Sequence, residues 1–339
     1  MTKEFIDGAI DEPIQQGNVG DCWLVSAILA LNATKRGKKA LKDSIEVDSN
    51  GNVTVSFNGL RYTDNETVQY TITAEEIAAN CGDNSIFSRG SKDLLVFELA
   101  MNKLEEDLRK QGLVNQTAAV EEIFPLEENI QEPEEETQTE AAEELIQEEE
   151  TPEAEESLLE EKQIVLPENS ATYKTTPGTS YHKEQTVYIE GGYPERAMFF
   201  LTGIVPTVLE ADYHKLIETD GKEFSGLTIG EITDCFNVSN NTAMTFSLYP
   251  DPDSLLNIDG KQVCVHKRID LNRNLFMLEL PYENDSSGKL SGHTFSITGV
   301  DTENKTVKVV NPLFSRAEYT FSWKQFAAMG VFNIVGVKL

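Results

Sequence analysis

The chain lacks any pair of cysteines at metal-ligand or redox spacing, any basic stripe and any apolar run long enough to span a membrane. Its four cysteines stand alone at positions 22, 81, 235 and 264, so neither a zinc site nor a disulfide framework is indicated, and a reducing compartment is the simplest setting. Lysine and arginine together number 28 against 58 acidic residues. Without a basic surface to release counterions, nucleic acid is excluded as the expected partner, and an anionic membrane surface for the same reason. The first residues, Met1 to Asp7, carry no apolar signal region, which predicts a cytoplasmic protein. Only 15 residues precede Gln16, too few for an N-terminal inhibitory propeptide.

What is present is an uneven charge. Of the formal −30, the stretch from Glu121 to Lys162 holds −18, with 19 glutamates against one lysine, leaving −12 on the other 297 residues. The chain as a whole, with 39% hydrophobic residues and 16 phenylalanines, is long enough to bury a sizeable core. The sequence divides accordingly. Residues 1–112 and 186–235 read as a helical lobe, 236–339 as a β-rich lobe, and 113–185 as an acidic, low-complexity insert without the apolar content to fold, so disordered. A short helix around Ala141–Ile146 is opposed by like-charge repulsion.

The most informative run is Gln16-Gly17-Asn18-Val19-Gly20-Asp21-Cys22-Trp23. Two glycines allow a tight loop, and the apolar segment Trp23 to Leu31 behind it, free of Gly and Pro and ending near Lys35, predicts a buried helix. Cys22 then falls in the first helical turn, where the helix dipole favours a thiolate, the nucleophilic form. A lone cysteine in an apolar helix is ordinarily a core residue; the functional reading requires a histidine partner downstream. Nearby, Ser44–Phe57 alternates around an Asn-Gly pair as a hairpin, and Ser91-Lys92-Asp93 opens an amphipathic helix running to about Lys110. Glu195–Phe200 reads as helix-like, ending at Leu201-Thr202-Gly203 with Gly203 as its C-cap.

From Ala243 onward short alternating strands predict an antiparallel sheet. Of the four histidines, His182 adjoins the insert, His214 lies in a polar stretch, and His266 is followed by Lys267-Arg268. His293 starts a strand after a flexible Ser286-Ser287-Gly288 segment, which fixes the ring at a cleft edge. Eighteen residues on, Asn311-Pro312 ends the next strand. If the two strands pair through the turn at Asp301–Lys305, Asn311 returns beside His293, and its amide oxygen can accept from one imidazole nitrogen while the other faces sulfur.

These segments resemble the protease core of the calpain family of papain-like cysteine proteases. Gln16-Gly17-x-x-Gly20-Asp21-Cys22-Trp23-Leu24 is similar to that family's nucleophile motif, Gly292-His293-x-Phe295-Ser296-Ile297-Thr298-Gly299 to its histidine motif, and Asn311-Pro312 to its asparagine motif, in the family's order. The resemblance covers nearly everything outside 113–185. It implies an α+β, two-lobed papain-like fold, with Cys22 as nucleophile, His293 as general acid and base, Asn311 as orienting amide and Gln16 as oxyanion donor. The family continues Asn-Pro with Trp-Gly, whose Trp shields the His-Asn bond; Leu313-Phe314 stand here, which assigns the shielding to Phe314 or another group. No segment resembles an EF-hand, since Asp220-Gly221 and Asp259-Gly260 lack the ligand spacing. The triad needs no cofactor, and calcium dependence stays open.

The expected function is that of a cysteine endopeptidase acting on a protein or peptide substrate through a thioester acyl-enzyme. The alternative is a catalytically weak or inactive binding protein that uses the acidic arm to recruit a basic protein partner.

Overall fold

The computed structural model describes the chain except residues 4, 9, 11–13, 83–84, 115–161, 168–176, 183–184, 212–225, 249–254, 259–260, 266–269, 272–273, 276–278, 282–292 and 315–317. The core of the acidic insert, His214 and His266 therefore lie outside the described residues, as does the helix considered at Ala141–Ile146. The architecture is mixed helix and sheet, as α+β predicts.

Helix α1 (Cys22–Asn32) is the buried helix expected from its apolar run, with eight of its residues inaccessible. Helix α2 (Lys35–Asp43) follows, capped by the Thr34 hydroxyl, which accepts from the Gly37 N–H at 2.9 Å. Strands β1 (Ile45–Val47) and β2 (Val53–Tyr62) form the predicted antiparallel hairpin. Asp48 closes its turn by accepting from the Asn50 and Asn52 amides, and Gly51 takes φ +82°, a conformation that favours glycine. Strand β3 (Thr67–Ile72) extends this sheet, and helix α3 (Ala74–Asn80) opens with a capping box at Thr73. Helix α4 (Lys92–Lys110), capped by Ser91, has the predicted bounds.

The expected disorder over 113–185 is corrected at its C-terminal end. Strand β4 (Ile164–Val165) pairs with β2, and β5 (Gly178–His182) pairs with β6 (Gln185–Glu190). The physical reason is edge pairing, since β2 offers free backbone groups at Arg61 and Tyr62. Gln111, at the end of α4, fastens the junction: its Nε2 donates to the Lys162 carbonyl at 3.2 Å, and its Oε1 accepts from the Ile164 N–H at 2.8 Å. Helix α5 (Pro194–Thr202) ends at Gly203, φ +72°, as its sequence signals. A fully buried ion pair joins α4 to α5, with Arg196 donating to both Glu105 oxygens at 2.6 and 2.9 Å and stacking over Phe200.

The remaining chain builds a six-stranded antiparallel sheet. Strand β7 (Thr207–Glu210) lies at its edge, followed by helix α6 (Ile229–Asn237) and strand β8 (Thr242–Leu248). Short strands β9 (Leu255–Ile258), β10 (Lys261–Val265), β11 (Asp270–Leu271), β12 (Asn274–Leu275) and β13 (Glu279–Pro281) form two small sheets apart from it. Of the strand expected over Leu275–Leu280, Leu275 lies in β12 and Glu279 and Leu280 in β13, while 276–278 lie outside the described residues. Strands β14 (His293–Asp301), β15 (Thr306–Val310) and β16 (Glu318–Ser322), helix α7 (Trp323–Ala327) and strand β17 (Val331–Lys338) complete the order β16-β15-β14-β8-β17-β7.

Two hydrophobic clusters result. One gathers α1, α4, α5 and the β1–β4 sheet; the other lies between the six-stranded sheet and α6 and α7. The boundary expected at 235 shifts: β7 pairs with β17, and Ile232 and Phe236 of α6 pack in the second cluster, Phe236 edge-on to Trp323 at 5.5 Å. Strand β7 and helix α6 therefore belong with the sheet, β7 through its backbone pairing with β17 and α6 through packing. No helix among the described residues is long and apolar enough to cross a membrane.

Candidate functional site

The loop before α1 is held on three sides. Gln15 exchanges backbone hydrogen bonds with Arg89, and Asn18 donates to the Ile86 carbonyl at 2.8 Å. Gly17 lies so close to that segment that a Cβ would stand 2.1 Å from the Ile86 oxygen and 2.4 Å from that of Phe87. Gly20 donates to Glu190 Oε1 at 2.9 Å, and its carbonyl accepts from Gly191. Trp23 is buried and donates its indole N–H to the Ile189 carbonyl at 3.1 Å, with Gly192 packed against the ring.

Cys22 is the first residue of α1, as its sequence predicts. Thr294, the residue after His293, lies near its sulfur. The expectation of a stabilised thiolate is corrected. Burial pushes the Cys22 thiol up to about 11, the nearby carboxyls of Asp21 and Glu190 add to the rise, and the Thr294 contacts offset only part of it. An elevation from about 9 to about 11 corresponds to about 2.7 kcal/mol. A helix terminus contributes about 0.3–1 kcal/mol, so desolvation wins. Burial thus favours the thiol over the thiolate.

Helix α1 is clamped to β14 beneath the sulfur: Ser26 Oγ donates to the Thr294 carbonyl, and Ser296 Oγ to the Ser26 carbonyl, both at 2.8 Å. His293 begins β14, opposite Leu248 of β8. Its Nε2 lies 2.9 Å from Asn311 Oδ1, with both residues buried. The predicted pairing of β14 with β15 is present, with Ser296 opposite Val310. Asn311 Oδ1 also accepts from the Leu313 N–H at 3.1 Å, which fixes the amide with its oxygen toward the ring. Phe295, from the same face of β14, meets the imidazole edge-on at 4.7 Å. The Phe314 side chain lies outside the described residues.

Gln16 is brought to the same place. Its backbone N–H donates to the Pro312 carbonyl at 3.0 Å. Its side-chain Nε2 donates to the Val19 carbonyl at 2.8 Å and to Asp21 Oδ1 at 3.1 Å, engaging both amide hydrogens, while Oε1 is buried without a partner. The structure thus gathers Cys22, His293, Asn311 and Gln16 from both parts of the chain. The side chain of His182, the fourth histidine, is outside the description.

Sequence reasoning missed Asp21, Glu98 and Thr294. Asp21 and Glu98 are fully buried, and Glu98 accepts from the Ser88 N–H through both oxygens. A signal existed: Glu98, Asn102 and Glu105 recur at helical spacing on α4, and each has a specific inward partner, Ser88, Tyr188 and Arg196 respectively. Among the described residues, no group of three or more His, Cys, Asp or Glu side chains could hold a metal ion, and Cys22, Cys81 and Cys235 are free thiols. Compared with known proteins, the chain matches no family model and no curated protein.

Proposed function

We propose that the chain is a calpain-like cysteine endopeptidase with a papain-like, two-lobed core, and that it hydrolyses peptide bonds through Cys22, His293 and Asn311. The observation that carries the reading is the buried 2.9 Å bond between His293 Nε2 and Asn311 Oδ1, on the residue preceding the one that lies near the Cys22 sulfur. With Oδ1 accepting, Nε2 carries the ring proton and Nδ1 is the basic nitrogen.

Because burial favours the thiol, attack and deprotonation are coupled. Sγ bonds to the scissile carbonyl carbon as its proton passes to His293 Nδ1. The oxyanion is received by the Cys22 backbone N–H, one of the donors that a helix start leaves without an intrahelical partner, and by the Gln16 amide. The imidazolium, oriented by Asn311, then gives its proton to the leaving amine, and a thioester remains. Water, deprotonated by the same imidazole, hydrolyses the thioester and restores the thiol. The substrate is an extended peptide in a cleft between the two parts, and the compartment is cytoplasmic, in keeping with the free thiols.

The test is alkylation of the native protein with iodoacetamide, together with cleavage of a mixed peptide library with calcium and with chelator. Selective labelling of Cys22, lost in Cys22→Ser along with cleavage, is expected. Equal labelling of wild type and Cys22→Ser sinks the reading.

One observation favours a second reading, a catalytically weak or inactive binding protein recruiting a basic partner through the acidic insert: both Gln16 amide hydrogens are already engaged. Deleting residues 121–162 separates the two, since loss of partner binding with cleavage intact assigns the insert its own role.

A further inference from the structure

Two carboxyl groups behind the nucleophile loop take no part in the steps above. Asp21 and Glu98 are both 0% exposed. Asp21 Oδ1 accepts from Gln16 Nε2 at 3.1 Å. Asp21 Oδ2 is buried and receives no N–H or O–H among the described residues, and the Glu98 carboxyl lies beside the Asp21 carboxyl. Among the described residues no cation acts on either group, and the third acid nearby, Glu190 of β6, adds a like charge while binding the Gly20 N–H and the Ser180 hydroxyl.

Two ionised carboxylates cannot face each other in a dry interior without a counterion. One proton between them converts the repulsion into a hydrogen bond. Its place follows from the neighbours: the Ser88 N–H stabilises Glu98 as the anion, so the proton resides on Asp21 Oδ2.

We infer that Asp21 is a positioning residue, a neutral acid that donates Oδ2–H to Glu98, accepts the Gln16 amide at Oδ1, and thereby keeps one Gln16 N–H oriented and releasable to the oxyanion. This rests on the endopeptidase reading above. Neutrality is what matters, because a charged acceptor holds an N–H about twice as strongly as a neutral one. An oxyanion can draw the Gln16 N–H away from a carboxylic acid, but it competes poorly with a carboxylate. An ionised Asp21 would also set a negative charge one residue from the sulfur. Burial and Glu98 both hold the Asp21 carboxyl well above the usual range, in keeping with this arrangement.

The test uses the full chain and fluorescein-labelled casein. Asp21→Asn keeps a donor toward Glu98 and an acceptor toward Gln16, and is expected to hold kcat within about threefold of wild type. Glu98→Gln presents an N–H to Asp21 and shifts it toward the ionised form, and is expected to lower kcat at least about tenfold with KM within about twofold. The double variant Asp21→Asn/Glu98→Gln removes that charge and should return to within about threefold of Asp21→Asn. A purely structural role predicts the opposite, a double variant at least as impaired as Glu98→Gln. That result, or an unimpaired Glu98→Gln, overturns the inference.

A second measurement needs no turnover. The infrared difference spectrum of wild type minus Asp21→Asn at neutral pH should contain a carboxylic-acid C=O stretch, and its absence overturns the shared proton. If wild type neither cleaves casein nor labels at Cys22, the endopeptidase reading fails, whereas the infrared band still decides the proton.

Discussion

The backbone N–H of Gln16 donates to the Pro312 carbonyl at 3.0 Å. That bond ties the loop in front of α1 to the turn that follows β15. The candidate oxyanion donor and the imidazole's orienting amide are therefore neighbours through the main chain, although Asn311 lies 295 positions after Gln16. With the α1–β14 clamp, it fixes the site from two directions.

Replacing Asn311 with Ala removes the acceptor that sets the His293 tautomer, and leaves the Leu313 N–H without its partner. The expected loss is about 10²-fold or more in kcat on labelled casein, with KM little changed. The accompanying loss of stability should be about 1–3 kcal/mol in urea unfolding. A variant with unaltered kcat would separate Asn311 from the chemistry.

Gly17 and Gly20 should respond differently to alanine. At Gly17 the new methyl meets two backbone carbonyls, of Ile86 and Phe87, that have no room to move. At Gly20 it meets only the end of the Glu190 side chain. Gly17→Ala should lose about 3 kcal/mol or more and slow Cys22 alkylation, while Gly20→Ala loses about 1 kcal/mol. Equal melting temperatures for the two variants would refute the distinction.

The Arg196–Glu105 pair is fully buried. Arg196→Met leaves the buried Glu105 carboxylate without its hydrogen-bonded partner, with only the charge of Arg109 nearby, and should destabilise by about 3–5 kcal/mol. Adding Glu105→Leu should recover most of that loss, because the desolvation cost then disappears. Urea midpoints of the single and double variants check both statements.

Glu195 sits near the start of α5 with Oε2 buried and unpartnered. Burial, with a smaller contribution from Glu210, pushes its carboxyl up to about 7. A carboxyl raised in the folded state favours folding while protonated, so its contribution is complete below the ordinary carboxyl range. That contribution is lost as pH rises from about 4.5 through about 7. Relative to wild type, Glu195→Gln should therefore gain about 3 kcal/mol across that window and level off above it. Unfolding free energies at several pH values test this; a difference independent of pH would count against it.

Much of this was legible in the residue pattern. The apolar run after Cys22, the Asn-Gly turn, the Ser91 cap and Gly203 each produced the element they signal, because local chemistry decides such features. The pairing of His293 with Asn311 was legible too, since a short turn between two strands dictates antiparallel return. Illegible were Asp21 and Glu98. Periodicity counts apolar positions as interior and assigns acids to solvent, whereas α4 turns Glu98 inward toward a partner 77 residues earlier. The thiolate expectation failed for a related reason: a helix start is visible in sequence, but the desolvation that outweighs it depends on what packs overhead. The placement of β7 depended on a partner, β17, that comes more than 120 residues later.

The two bonds from Gln111 to the Lys162 carbonyl and the Ile164 N–H act as a clasp where the acidic stretch leaves and rejoins the fold. With the ends fixed, the entropy of closing the chain between them grows only logarithmically, about 0.6 kcal/mol for each doubling in length. Insertions or deletions between the clasped ends therefore cost the fold little in closure entropy. The catalytic candidates on either side would register none of it.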